Sequence, residues 1–111
     1  MRQTPGPIGR IAVLVVLATM AIRAGAGTVE VMIQDYRYEP AELTVTAGTT
    51  VKWLNNEKRV SHSILFAGPE GFESERIFPG ESWERTFDKP GTYPYSCGPH
   101  PEMHGIITVT R

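Results

Sequence analysis

The chain has 111 residues, 41 % hydrophobic and 21 % charged, which is room for one small domain. Its formal net charge of −1 comes without a Lys/Arg cluster, and that argues against nucleic acid, because binding a phosphate backbone requires concentrated positive charge. A single cysteine rules out an internal disulfide framework.

Arg2 and Arg10 precede the apolar run 11–22, and Ala24 and Ala26 supply the small side chains of a signal-peptidase site. The pattern reads as a secretory signal, residues 1–26, cut after Ala26 to leave a mature domain of residues 27–111. The run falls short of the roughly 20 apolar residues that cross a bilayer, so no retained anchor is expected. No cysteine near the cut offers a lipid attachment point, and no twin arginine is present. Export through the general secretion route is therefore expected, with the chain folding and acquiring any metal in the periplasm. Losing Arg2, Arg10 and Arg23 leaves 8 basic against 12 acidic side chains, a net charge of −4.

After residue 27 the pattern is that of strands. Val29, Val31 and Ile33 alternate with Thr28, Glu30 and Met32; Leu43 and Val45 with Thr44 and Thr46; Val51 and Trp53 with Thr50 and Lys52. Further strands are expected over 61–67, 82–87, 92–97 and 106–110. Turn signals at Pro40, Ala47-Gly48, Gly68-Pro69, Pro79-Gly80 and Pro90-Gly91 separate them. The sum is an all-β sandwich of about seven strands. Trp83, Arg85 and Phe87 share one face, and an arginine among aromatics points to an edge strand or the rim of the sandwich. The acidic stretch 69–75, "PEGFESE", is expected to be a solvated loop.

Chemistry concentrates in residues 95–105, "YSCGPHPEMHG". Tyr93, Tyr95 and Cys97 fall on one strand face, so the thiol points inward where the strand ends. His100 follows three residues later and Met103 three after that, while Pro99 and Pro101 fix the backbone on either side of His100. A thiolate, imidazoles and a weak thioether form the donor set of blue-copper centres; zinc does not use methionine. The loop lacks a second histidine. His62, in "RVSHSILF", is the natural candidate, because its strand can sit beside that of Cys97. His104 directly follows Met103, so in an extended chain it points away from the methionine and reads as a surface residue.

These stretches resemble the cupredoxins, most closely their amicyanin and plastocyanin branch. The resemblance is carried by "YPYSCGPHPEMHG" at 93–105, "YEPAELTVTAGTTVKWLNNE" at 38–57 and "FDKPGTYPYSC" at 87–97, and it covers essentially the whole mature chain. It implies a Greek-key β-sandwich with one type 1 copper ion held by His62, Cys97, His100 and Met103. It also implies that the edge of His100 reaches the surface within an apolar rim. Pro99, Pro101 and Met103 are candidates for that rim, made more polar by Glu102 and His104. One position departs from the family pattern: Ser63 stands where many relatives carry asparagine. A hydroxyl satisfies fewer partners than an amide, so a looser set of hydrogen bonds around the ligands is expected, or one rebuilt by Asn55 or Asn56.

A metal with four protein ligands and no open position has no place for substrate, which favours electron transfer over catalysis. The expected protein is a monomeric periplasmic one-electron carrier working between redox partner proteins, such as a dehydrogenase and a cytochrome. Copper delivery or storage is the alternative. An enzyme with Cys97 as nucleophile and His100 as base lacks a third group to orient the base. Expressed with its leader in a bacterial host, the chain should be recovered from the periplasm with an intact mass beginning at Gly27; a mass retaining residues 1–26 would contradict the cleavage reading.

Overall fold

The computed structural model describes residues 27–111; the expected signal segment lies outside them. Nine strands follow in order among the described residues: β1 (Thr28–Gln34), β2 (Arg37–Glu39), β3 (Glu42–Thr46), β4 (Thr49–Asn55), β5 (Leu65–Phe66), β6 (Phe72–Glu73), β7 (Ser82–Phe87), β8 (Gly91–Ser96) and β9 (His104–Thr110). They form two sheets, one ordered β2-β1-β4-β7 and the other β3-β9-β8-β5-β6. Two pairs are parallel, β1 with β4 and β3 with β9, and neither joins consecutive strands, so the chain passes between the sheets rather than meandering through one. The expected sandwich is present.

The alternation in the sequence becomes its interior. Val31, Ile33, Val51 and Trp53 from one sheet meet Val45, Tyr95, Ile107 and Val109 from the other, all buried. Trp53 is the largest fully buried side chain, with ring centroids 5.4 Å from Tyr95, 5.5 Å from Trp83, 6.3 Å from Phe66 and 6.4 Å from Phe87. β7 is an edge strand, as the arginine among its aromatics suggested. The Arg85 guanidinium lies 4.5 Å from the centroid of Phe66, 4.6 Å from Phe87, 5.0 Å from Phe72 and 5.2 Å from Tyr93. It closes the side of the sandwich with a cation over aromatic faces, the residue as a whole being partly buried.

Three details differ from expectation. Residues 61–67 do not form one strand: only β5 joins the sheet, and His62 makes an isolated bridge to Ile77. The backbone between them leaves the ladder because other partners satisfy it, with Ile64 N–H donating to Ser74 Oγ and Ser74 N–H to the Ile64 carbonyl. Residues 69–75 are exposed apart from Ser74, as expected, but they are not all loop: Phe72 and Glu73 form β6, pairing with Phe66 and Leu65. β2 is added through a two-residue hairpin in which Asp35 and Tyr36 both take left-handed backbone angles, φ 56° and 57°. That turn places the exposed Tyr36 ring over the end of the sandwich where His62 and Cys97 lie.

Replacing Trp53 with alanine would leave the centre of the core empty and should lower unfolding free energy by about 3–5 kcal/mol, read as a lower guanidinium midpoint at unchanged slope. A loss below ~1 kcal/mol would mean that the two sheets do not depend on this ring.

Candidate metal centre

Cys97 leaves the end of β8 and the loop 98–103 returns the chain to β9. Its closure is set by the backbone: Met103 N–H donates to the His100 carbonyl at 2.9 Å and Cys97 N–H to the Met103 carbonyl at 3.2 Å. His62 arrives from the other side, fixed by a reciprocal pair with Ile77 of 3.1 and 2.8 Å. The result brings three donors together. Cys97 Sγ lies 3.6 Å from His62 Nδ1 and 3.6 Å from His100 Nδ1, and the three atoms lie within 4.8 Å of one another.

The spacing can be tested against a metal ion. Bonds of about 2.0–2.1 Å to nitrogen and about 2.3 Å to sulfur would join at roughly 110° to span each 3.6 Å edge, an ordinary angle for a three- or four-coordinate ion. His62 and Cys97 are fully buried and His100 is partly buried. A soft sulfur with two imidazoles in a dry site fits copper. Met103 is buried at the end of the same loop, held through both its N–H and its carbonyl. It therefore does not belong to the exposed rim, where the sequence reading had placed it. Pro99, Pro101 and Glu102 are exposed, and so is Tyr36, whose ring meets His100 edge-on at 4.9 Å and His62 at 5.6 Å. His104 is exposed in β9 opposite Ser96 and is not part of the donor cluster.

The donors are oriented by neighbours that the sequence did not reveal. Glu57 Oε2 lies 3.1 Å from His62 Nε2 and accepts Tyr36 N–H at 2.8 Å. With its Nε2–H donated to Glu57, His62 presents the Nδ1 lone pair to the sulfur side. Burial pushes the His62 imidazole below its usual range, which outweighs the pull of Glu57, and His100 adds to the fall; the direction favours the neutral ring that metal ligation requires. Burial pushes the Glu57 carboxyl up, but the Tyr36 amide, the bond and attraction to His62, and the Asp35 amide hold it below the usual carboxylate range. Asn55, fully buried, supports this loop: its Oδ1 accepts Glu57 N–H at 2.8 Å, and its Nδ2 donates to the carbonyls of Val60 and Ile77, each at 2.9 Å.

Ser63 does not leave a loose centre. Its N–H donates to Cys97 Sγ at 3.4 Å, its carbonyl accepts the Tyr38 hydroxyl at 2.6 Å, and its Oγ accepts Gly98 N–H at 2.9 Å while donating to Glu73 Oε2 at 2.7 Å. The network is rebuilt, but not by Asn55, which serves the loop before His62, nor by Asn56, whose side-chain amide donates to Gln34 Oε1. The partner is Glu73. No local periodicity marks it, because β6 brings it in from ten residues downstream.

Removing the Glu57 carboxylate should free the His62 ring. Glu57→Ala should weaken copper binding by roughly 10- to 100-fold in competition with a chelator, with Glu57→Gln, which keeps an acceptor for Nε2–H, closer to wild type. Equal affinity in all three proteins would show that Glu57 does not orient the ligand.

Comparison with known proteins agrees with the geometry. A family model for the cupredoxin-like domain matches residues 7–109. Amicyanin-alpha of Methylorubrum extorquens is 33 % identical over 105 residues, covering 83 % of this chain and 87 % of the relative. Plastocyanin of Scenedesmus fuscus is 40 % identical over 84 residues, covering 65 % and 85 %. The crystal structure of amicyanin from Paracoccus versutus superposes with a TM-score of 0.70 at 33 % identity, over 78 % of this chain and 83 % of that one. The same fold matches 22 % of a much longer copper-containing nitrite reductase from Thermus scotoductus, with a TM-score of 0.69 over 75 % of this chain. The chain belongs to the cupredoxin-like family, on its amicyanin and plastocyanin branch, whose cofactor is one type 1 copper ion.

Proposed function

We propose that the mature chain, residues 27–111, is a periplasmic one-electron carrier in which His62, Cys97, His100 and Met103 hold one type 1 copper ion. The carrying observation is the convergence of the two Nδ1 atoms on Cys97 Sγ, each 3.6 Å away, in a site closed by protein. Bound copper supplies the one-electron change between Cu(I) and Cu(II). The protein holds the donors still. His62 is fixed by its bridge to Ile77 and by Glu57, Cys97 by Ser63 and the Met103 carbonyl, and His100 by the loop closure between two prolines. Met103, buried at the end of the same loop, would supply its thioether as a fourth, weak donor to the ion. Donors in place before the ion arrives need little rearrangement between its oxidation states, which keeps the barrier to electron transfer low.

Electrons enter and leave at His100, the donor nearest solvent. Its partly buried ring is bordered by the exposed Tyr36, Pro99 and Pro101, a face on which a redox partner protein can approach the centre, with Glu102 adding charge beside it.

Two measurements test the reading. Mature protein loaded with Cu(II) should show an intense blue absorption band that Cys97→Ser abolishes; a colourless wild type would overturn type 1 ligation. A Cu(I) chelator should strip the reduced protein slowly, over hours, while a small redox couple exchanges electrons with it rapidly. Fast loss of copper with slow electron exchange would point instead to copper delivery or storage.

A further inference from the structure

The contacts of Ser63 carry an assignment that rests on the copper-site reading and extends it. A hydroxyl has one hydrogen, and here it goes to Glu73, so a lone pair of Ser63 Oγ is turned to the Gly98 amide. Gly98 follows Cys97 directly and is the first residue of the ligand loop. The carboxylate is delivered by β6, whose register sets Glu73 opposite Leu65 and whose Phe72 ring packs 5.3 Å from Phe66. Ser74, the residue after the strand, ties the segment to Ile64 through both its N–H and its Oγ. The fit is tight on the loop side as well: a Cβ on Gly98 would collide with the Glu73 carboxylate and lie 3.0 Å from Ser63 Oγ. Glu73 is exposed and makes no ion pair among the described residues, so its charge is screened by solvent on one side but is not paired.

We propose that Glu73 is a positioning residue of the copper site, which orients the Ser63 hydroxyl to hold the Gly98 amide and sets a negative charge beside Cys97. Two consequences follow from different properties of the same group. The hydrogen bond, strengthened by charge on the acceptor, restrains the loop where it leaves Cys97. The charge favours the more positive oxidised ion over the reduced one. Glycine at position 98 is the space this arrangement requires.

The test uses the mature protein with Glu73→Gln, Glu73→Ala and Gly98→Ala. Glu73→Gln keeps an acceptor for Ser63 and removes the charge. It should retain the blue band while shifting the Cu(II)/Cu(I) equilibrium toward Cu(I) by roughly three- to tenfold, tenfold corresponding to 59 mV for one electron. Glu73→Ala also removes the acceptor and should speed hydrogen exchange at the Gly98 amide by about tenfold or more, with or without copper. Gly98→Ala should expel the carboxylate and reproduce the Glu73→Ala result, the double variant adding nothing further. Unchanged exchange at Gly98 in Glu73→Ala would overturn the positioning role, and a wild-type potential in Glu73→Gln would overturn the charge role. A wild type that fails to bind copper would sink the copper reading, while exchange in the metal-free protein would still decide whether Glu73 holds the loop.

Discussion

The two halves of the metal centre come from segments 35 residues apart, and Ser63 is where they are joined. Its N–H meets Cys97 Sγ, its hydroxyl bridges the Gly98 amide and Glu73, and its carbonyl takes the Tyr38 hydroxyl. Each polar group of this fully buried residue is satisfied, which is the condition for a polar residue to be kept inside a sandwich. Burial pushes the Tyr38 phenol far up, so it stays a neutral donor to the Ser63 carbonyl. The tie continues into the sheet two residues on, where β5 pairs with β8 and Leu65 stands opposite Ser96, so the junction and the ladder together set the 3.6 Å spacing of His62 and Cys97.

Around the junction, the sandwich converts a sheet-end position into a rigid site. Tyr36 and Glu57 illustrate the coupling. The hairpin after β1 forces Tyr36 into a left-handed backbone conformation, an uncommon state for a bulky residue. In exchange its amide reaches Glu57 and its ring covers both histidines. Strain at one residue thereby contributes to the placement of two donors. The restraining bonds are made between protein groups, so none of them depends on the metal to form.

Much of this was readable from the sequence where the information is local. β1, β3, β4 and β7 follow from alternation, and the ligand loop from a cysteine, a histidine and a methionine within seven positions. His62 could be singled out because few histidines were left to complete the set. What stayed hidden depends on tertiary pairing. β2 and β6 are too short to carry periodicity, and the apparent strand over 61–67 breaks because His62 must pair with Ile77 instead of extending the ladder. Glu73 is exposed in an acidic stretch, where nothing in the composition marks which carboxylate turns to Ser63, and Glu57 lies in a loop with no pattern. Met103 was read correctly as a member of the loop but wrongly as part of its exposed rim, since nothing in the spacing distinguishes a thioether facing solvent from one turned inward.

The central claim is that a centre assembled before metal binding holds copper with one ligand set in both oxidation states. X-ray absorption at the copper edge, recorded on the reduced and oxidised mature protein at neutral pH, tests it most directly. The account predicts two nitrogen ligands and one short sulfur ligand in both forms, with nearly constant bond lengths. Loss of a nitrogen or of the short sulfur on reduction would contradict it.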